Sequence, residues 1–354
     1  MNETISERLA ALRVQMKQSG LNAALIPQTD PHQSEYIADH WQVRRWLSGF
    51  TGSAGTLVVT ESQALLWTDS RYFLQAEEQL AGTGITLMKD GLPDTPSITT
   101  YLIQNLQKGH NVGIDGSLFS IIETSNLRSS LEKHGIKLNT GFDAIDSIWT
   151  DRPGLPATPV FIHDIKFAGE TASDKIEKIL ADAASQGANA IFISPLDEIA
   201  WTLNIRSRDV KCNPVATAFL YLSSEGSTLF IKEGKIDEAT AAYLSQSNVG
   251  TAPYEEALAF LRALPDNARV LIEASRTSGR VLDTLGSRAV VGASPVPMLK
   301  AVKNDTQIAG IRRSMEIDGA ALVGAFMEIE KMMRQGEPLT ELAVSGILTR
   351  FRSQ

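Results

Sequence analysis

The chain is short of the residues on which several common functions depend. Its 354 residues include one cysteine, Cys212, so no internal disulfide can form and a reducing compartment is expected. Cys212 could act as a nucleophile, but no companion motif surrounds it, which favours an incidental thiol. No apolar run approaches the ~20 residues that cross a bilayer, and the first residues lack the apolar core of a signal peptide. These absences predict a cytoplasmic protein with no membrane partner.

Positive charge is scarce as well. The chain has 33 lysine and arginine residues against 41 aspartate and glutamate residues, which gives a formal net charge of −8. The pairs Arg44-Arg45 and Arg312-Arg313 are isolated in the sequence and are expected to be exposed to solvent. Because a nucleic-acid surface needs clustered cations, the composition argues against a nucleic-acid partner. A hydrophobic content of 43% with 21% charged residues is typical of a globular protein, here of two to three domains.

One order of elements occurs twice along the chain. A helical apolar pattern is followed by a buried strand that a proline ends, then by two apolar strands around a polar turn, then by a further strand. The predicted strands of the first copy are 23–26, 55–59, 64–67 and 111–115, and those of the second copy are 190–193, 219–222, 227–231 and 269–273. Matches in the same order indicate a duplicated α/β domain, in which each copy is a mixed sheet flanked by helices.

Proline-rich segments divide the chain. The prolines of 151–159 predict a stiff, extended linker, and Pro295 with Pro297 marks a second boundary. The expected domains are 1–155, 156–300 and 301–354.

The last of these segments has a different pattern. Asn304 or Asp305 is expected to cap a long helix whose apolar residues, from Ile308 to Met333, form one stripe. A second helix is predicted from Thr340, with four buried apolar residues, which are Leu342, Ile347, Leu348 and Phe351. Because a wide apolar stripe is followed by an end without a stop signal, these helices are expected to begin a third, truncated domain.

Signals for chemistry are thin. The five histidines form no metal-binding motif. His32, Glu35, Asp39 and His40 could form a mononuclear metal site, but a polar surface loop is the favoured interpretation. The glycine-rich stretch 49–55 lacks the lysine of a phosphate-binding loop, and it predicts a tight backbone path before a strand rather than a nucleotide site.

Two further features have two interpretations each. Asp69 is expected to cap the helix that follows it, and Arg71 either pairs with Asp69 or faces a substrate or a partner subunit. Trp41 and Trp46 lie in a polar loop of the sequence, where either an interface or packing between domains accounts for them.

Four stretches of the sequence, taken together, resemble the three-domain Xaa-Pro aminopeptidases, the aminopeptidase P family. These stretches are 30–37, 48–55, 67–73, and 299–304 with the following Arg312-Arg313 helix. The resemblance implies two tandem creatinase-like N-terminal domains, then the first helices of a pita-bread metallopeptidase domain.

The same resemblance implies an activity for the full-length parent. Members of the family are metalloaminopeptidases that release the N-terminal residue preceding proline from short peptides, and the parent is expected to form a homodimer. Two aspartates, one histidine and two glutamates would hold two divalent ions, commonly manganese. None of these ligands can be placed on the present residues, so the 354-residue chain alone is expected to bind no metal and to be inactive.

The region present is expected to narrow the access to the active site and to help build the dimer. The candidate residues are His32, Trp41, Trp46 and Arg71.

Two alternative protein classes stay open. One is a prolidase or creatinase relative, which the duplicated domain argues against because those relatives usually carry one copy. The other is a non-catalytic, peptidase-like protein-binding module.

Overall fold

The structure, a computed structural model, describes residues 3–354, which divide into two units. The first unit comprises residues 3–162 and 172–297, and it contains two six-stranded sheets. The second unit joins His163–Thr171 to Met298–Gln354 and is helical. Among the described residues, no helix combines the length and the apolar character that a bilayer crossing requires.

The first sheet lies in the N-terminal half of the first unit. Its strands are β1 (Ala23–Ile26), β2 (Thr56–Thr60), β3 (Ala64–Thr68), β4 (Thr86–Lys89), β5 (Asn111–Gly113) and β6 (Lys137–Asn139). The helices around it are α1 (Glu3–Gln18), α2 (Val43–Ser48), α3 (Phe73–Leu80), α4 (Ile98–Asn105), α5 (Ile121–Glu132) and α6 (Ile145–Ile148). The spatial order is β4-β3-β2-β1-β5-β6, with antiparallel pairing around β2 and parallel pairing elsewhere.

Alternation along β1 explains why this sheet has a core on each face. Successive side chains of a strand point to opposite faces, so Ala24 and Ile26 join one cluster while Ala23 and Leu25 join the other. The first cluster includes the inward side of α1, where Ile5, Leu9, Leu12 and Met16 recur at helical spacing and are buried. The continuous apolar run of β1 is therefore that of a central strand with both faces covered by helices.

The second sheet lies between residues 160 and 297. Its region holds the strands β7 (Phe161–Ile162), β8 (Ala190–Ile193), β9 (Ile205–Arg206), β10 (Ala218–Ser223), β11 (Ser227–Ile231), β12 (Val249–Pro253), β13 (Val270–Ile272) and β14 (Ala289–Val291). The helices from residue 163 to 301 are α7 (Ile165–Ala168), α8 (Ala172–Ser185), α9 (Leu196–Thr202), α10 (Glu238–Ser245), α11 (Ala257–Ala263), α12 (Gly279–Leu285) and α13 (Val296–Ala301). The order of the sheet is β12-β11-β10-β8-β13-β14, and β7 pairs separately with β9.

The two sheets have the same topology. In each, the first strand pairs antiparallel with a hairpin strand on one side and parallel with a later strand on the other. The prediction of a duplicated mixed-sheet domain is therefore confirmed. The edge strands β4, β6, β12 and β14 were not anticipated, because nearly all of their residues are exposed or only partly buried, so no fully buried apolar run marks them.

A buried ion pair fastens the proline-rich segment to the second sheet. The described residues 152–160 contain neither helix nor strand, in keeping with the expected extended linker. Asp209 and Lys235 form an ion pair with no solvent exposure of either side chain. The Asp209 carboxylate also accepts hydrogen bonds from the Thr158 hydroxyl and from the Thr217 amide, the latter at 2.7 Å. Burial lowers the pKa of Lys235, while its contact with Asp209 opposes that shift.

The second unit is built on two helices. They are α14 (Asp305–Arg334) and α15 (Glu341–Arg352), capped by the side chains of Asn304 and Thr340 respectively. Phe351 packs where Gly324 has no side chain, since a Cβ there would lie 2.7 Å from the Phe351 ring. The two predicted helix starts are confirmed. The predicted burial of Leu342 is wrong, because that side chain is 85% exposed.

Replacing Asp209 with alanine should strongly destabilise the first unit. The change leaves the Lys235 ammonium buried and removes the acceptor of Thr158, so we expect a loss of about 3–5 kcal/mol in the free energy of unfolding. Urea denaturation followed by tryptophan fluorescence measures this loss. The double variant Asp209→Leu with Lys235→Met serves as the matched control, and it should lose clearly less because no charge stays buried. Equal losses in both variants would contradict the role given to the charge.

Candidate functional site

A cleft separates the two sheet-containing halves of the first unit. Its volume is about 1310 Å³, and both halves contribute to its walls. The N-terminal half supplies Gln28, Gln42, Arg45 and the segments 32–37 and 51–53. The other half supplies Leu196, Asp197, Val210, Ser275 and Arg276 with the loop 211–213, while Ser120, Ile122 and Glu123 come from the start of α5 and the residue before it. Charged side chains of both signs therefore face one cavity.

The three motif stretches of the N-terminal half meet at this cleft. Residues 32–37 of the first stretch and 51–53 of the second line it directly. The third stretch reaches it through Tyr72, whose hydroxyl oxygen lies 2.6 Å from that of Ser53. Sequence positions that are up to 40 residues apart thus form one wall, which makes the cleft the candidate functional site.

His32 crosses from one half of the unit to the other. Its Nδ1 lies 2.9 Å from the Ser194 carbonyl oxygen and its Nε2 lies 2.9 Å from the Tyr254 hydroxyl. A carbonyl oxygen only accepts, so Nδ1 carries the hydrogen and Nε2 accepts from Tyr254. The ring also lies 4.4 Å from the ring of Phe219 between centroids. Burial lowers the pKa of His32, so the ring is held in its neutral form.

The expectation of a polar surface loop is therefore wrong for His32. The side chain is 1% exposed, because aromatic residues of the second half surround it. The preceding turn is built by Asp30, whose Oδ1 accepts from the amides of His32 at 2.9 Å and Ser34 at 3.0 Å. This Asx turn fixes the direction in which the His32 side chain projects from the N-terminal half toward the second half.

A buried arginine shapes the glycine-rich wall. Arg44 donates to the carbonyl oxygens of Phe50 and Gly52, and to the Gln28 side chain at 3.0 Å. A Cβ on Gly52 would lie 2.3 Å from the Phe50 ring, so this position tolerates glycine alone without rearrangement. The tight backbone path expected for 49–55 is confirmed. The expected solvent exposure of Arg44 is wrong, since it is 0% exposed, and burial lowers its pKa to about 10.

Asp69 and Arg71 form the predicted cap and ion pair. The Asp69 carboxylate accepts from the Arg71 amide at 3.1 Å, and it accepts from Nε and one terminal nitrogen of Arg71 at 2.9 and 2.8 Å. Hydrogen bonds from the Arg71 side chain lower the pKa of Asp69. The cap serves a short 3₁₀ turn, Ser70–Tyr72, which leads into α3. The Arg71 side chain is 67% exposed, and its contact with a substrate or partner stays a prediction.

The two tryptophans occupy different places. Trp41 is buried, its ring 5.9 Å from that of His32 and 6.5 Å from that of Tyr254 in the second half. Trp46 is partly buried and stacks on Trp149 at 4.9 Å within the N-terminal half. Both are thus packed against other aromatic rings of the first unit, and a role in substrate access stays a prediction for each.

The residues considered for a mononuclear metal site do not converge. His32 uses both ring nitrogens elsewhere, and the Nδ1 of His40 lies 2.7 Å from the Pro153 carbonyl oxygen. Glu35 and Asp39 are both exposed to solvent. Across residues 3–354, no three side chains of His, Cys, Asp or Glu come together to hold a metal ion. The described residues therefore do not fit a dinuclear centre.

The burial of one acidic residue was not predicted from the sequence. Glu198 lies at the start of α9, three residues after Pro195, and burial raises its pKa to about 7. The duplication could have indicated that Glu198 is buried, because Asp30 likewise stands three residues after Pro27, the proline that ends the first strand. Both carboxylates are buried, and each has one oxygen without a hydrogen-bond partner among the described residues.

Comparison with known proteins places these two halves in a common class. The Creatinase/Prolidase N-terminal domain family matches residues 8–145 and again residues 151–307, so that each match contains one six-stranded sheet. The chain thus carries two tandem domains of this class, as the duplication predicted.

Individual relatives narrow the class to one family. The chain is 35% identical over 374 residues to the probable Xaa-Pro aminopeptidase P of Coprinopsis cinerea, covering 100% of this chain and 60% of the relative. It is 35% identical over 353 residues to Xaa-Pro aminopeptidase ApepP of Drosophila melanogaster, covering 97% of this chain and 57% of the relative.

A solved structure agrees with these sequences. The crystal structure of X-prolyl aminopeptidase from Caenorhabditis elegans, described as a cytosolic enzyme with a di-nuclear active site, matches with a TM-score of 0.92 at 33% identity. The match covers 99% of this chain and 60% of that one. The chain belongs to the Xaa-Pro aminopeptidase family. It spans between 57% and 60% of the length of the relatives and the structure named above.

The neutral state of His32 predicts a dependence of stability on pH. The unfolded chain binds a proton at His32 below a pH of about 6.5, whereas the folded chain, with its lowered pKa, resists protonation. The contribution of His32 should be complete above that pH and should fall by up to about 1.4 kcal/mol per pH unit below it.

Urea denaturation of the native chain and of His32→Gln between pH 5 and 8 measures this contribution. The difference in unfolding free energy between the two should shrink as the pH falls below 6.5. The control variant is His134→Gln, which removes an imidazole that is exposed to solvent. A His32→Gln difference that stays constant would refute the burial argument.

Proposed function

We propose that the whole protein to which these residues belong is a metal-dependent Xaa-Pro aminopeptidase, which releases the N-terminal residue preceding proline from short peptides. The observation that carries this proposal is the match of 99% of the chain to the X-prolyl aminopeptidase of Caenorhabditis elegans at a TM-score of 0.92. At 33% identity over that length, the shared fold reflects shared ancestry rather than the reuse of a common architecture. Because that relative is a cytosolic enzyme, the match also supports a cytosolic location for the present protein.

The metal centre is proposed to lie outside residues 3–354. Two divalent ions, commonly manganese in this family, would activate a water molecule for attack on the peptide bond. Since the described residues offer no cluster of ligands, the ligands are proposed to lie elsewhere in the whole protein. The di-nuclear active site of the relative supports two ions, and the choice of manganese rests on the family resemblance.

The present residues are proposed to control access to that centre and to take part in a homodimer. The cleft of about 1310 Å³ is lined by polar and charged groups from two domains, as a surface that receives a peptide would be. Arg71 is exposed and held in one orientation by its two hydrogen bonds to Asp69. A guanidinium fixed in this way is suited to a carbonyl or carboxylate oxygen of a substrate. The limits 1–155, 156–300 and 301–354 are proposed for the three domains.

The function is tested by hydrolysis of an Arg-Pro-Pro peptide. The 354-residue chain and the product of the complete coding sequence are each assayed with and without added manganese. Manganese-dependent release of arginine by the longer product alone is the expected result. Release by the 354-residue chain would overturn the proposed location of the ligands. No release by either would overturn the aminopeptidase proposal in favour of a protein-binding module.

Arg71→Ala in the full-length protein should lower kcat/KM toward an Xaa-Pro peptide by about tenfold or more, since a charged hydrogen bond to the substrate would be lost. The matched control is Arg313→Ala, which removes an arginine that is similarly exposed and paired with an acid. The control should leave kcat/KM unchanged. Unchanged kcat/KM in Arg71→Ala would remove this residue from the substrate site.

A further inference from the structure

Glu198 occupies a buried position beside the cleft wall. It follows β8, and the neighbouring parallel strand β13 leads into the loop that carries Glu273 and Arg276. Side chains that follow adjacent parallel strands meet at the same edge of the sheet. The Glu198 side chain is 2% exposed, and its Oε2 accepts from the Ser294 hydroxyl at 3.0 Å. Its Oε1 has no hydrogen-bond partner within residues 3–354.

Arg276 connects this buried carboxyl to the cleft. One terminal nitrogen lies 3.3 Å from Asp197 Oδ1 and 3.9 Å from Glu198 Oε1. The side chain is 38% exposed and lines the cleft together with Asp197. Its Nε, in contrast, is buried and finds no acceptor in the described part of the chain. The pair therefore holds an unused donor on Arg276 and an unused acceptor on Glu198.

The surroundings of Glu198 bring its pKa close to neutral pH. Burial raises its pKa to about 7, the charge of Arg276 and the hydrogen bond from Ser294 oppose the rise, and the charges of Asp197 and Glu273 add to it. These are the charged and titratable groups that face Glu198 from its own helix, from the loop after β13 and from the segment before α13. Both protonation states are therefore populated near pH 7.

The two states make different demands on Arg276. A neutral carboxyl has no charge for a cation to balance, so the guanidinium stays beside Asp197 in the cleft wall. An ionised carboxylate in a buried site needs a cation and a donor for each oxygen. Arg276 is the cation within 4 Å in the structure, and a movement of about 1 Å would bring its terminal nitrogen to hydrogen-bond distance of Oε1.

We propose that Glu198 is a positioning residue that sets where Arg276 lies. When Glu198 holds its proton, Arg276 stays at the cleft wall, available to an anionic group of a bound ligand such as a carboxylate. When Glu198 loses its proton, Arg276 turns to it, both unused hydrogen-bonding groups are satisfied, and the cleft wall loses a cation. The cleft thereby responds to pH, a property independent of any metal centre.

The movement of Arg276 is tested by nuclear magnetic resonance of its Nε–H group. Hydrogen exchange of that group in the 354-residue chain is compared, at pH 6 and pH 8, with exchange in free arginine at the same pH. Arg276→Lys identifies the signal. Protection should be about tenfold greater at pH 8 than at pH 6, since the Nε–H group is then hydrogen-bonded. Equal protection at both values would overturn the proposal without recourse to any further variant.

Two acids at the same sheet edge give the matched comparison. In Glu198→Gln the change in protection between pH 6 and pH 8 should vanish, whereas in Glu273→Gln it should persist. A change that persists in Glu198→Gln would assign the response to another group and refute the proposal.

The unfolding equilibrium provides a second measure of the protonation of Glu198. The folded pKa of Glu198 exceeds the unfolded one, so its stabilising proton is lost as the pH rises toward 7. The unfolding equilibrium constant of the native chain, divided by that of Glu198→Gln, should rise by up to about tenfold per pH unit between pH 5 and 7 and level off above. A flat ratio would show that Glu198 is not the titrating group, and it would also overturn the proposal.

Discussion

The contact of the His32 ring with the second domain is the constraint on which the cleft depends. The ring donates to the Ser194 carbonyl, accepts from the Tyr254 hydroxyl and packs on Phe219, so one side chain is bound on two edges and one face. The bond from the Tyr254 hydroxyl requires the neutral imidazole, because a protonated Nε2 would become the donor and the hydroxyl would then have to accept. The two halves are thus held together by a buried, uncharged ring, and the cleft between them takes its shape from that contact.

The domain duplication accounts for two buried acidic residues at equivalent positions of the two halves. The proline that ends the first strand is followed in each copy by a buried acid, which is Asp30 in one and Glu198 in the other. In the first copy the acid is used to build the turn that aims His32 outward. In the second copy it lies beside Arg276 at the cleft wall. The duplication therefore placed equivalent carboxylates at equivalent sheet edges, and local sequence gave them different partners.

How much of this could be read from the sequence depends on the range of the interactions. Strands β1, β8 and β11 were predicted at their observed bounds, because continuous apolar runs with a proline or a polar turn at the end are local signals. The cap at Asp69 and the pair with Arg71 are local as well, and they were predicted. The burial of His32 was not, because it comes from Ser194, Phe219 and Tyr254, which are more than 160 residues away. Arg44 was missed for a related reason, since its partners are backbone carbonyls that the sequence does not distinguish.

The most direct test of the central contact is a double-mutant cycle between His32 and Tyr254. His32→Leu removes the ring nitrogens, Tyr254→Phe removes only the hydroxyl, and urea denaturation at pH 7.5 gives the free energy of unfolding of the native chain, both single variants and the double variant. If the hydroxyl donates to the buried ring, the two changes should be coupled by about 1–2 kcal/mol. A coupling energy within about 0.3 kcal/mol of zero would mean that the two side chains act independently, and it would contradict the proposed link between the domains.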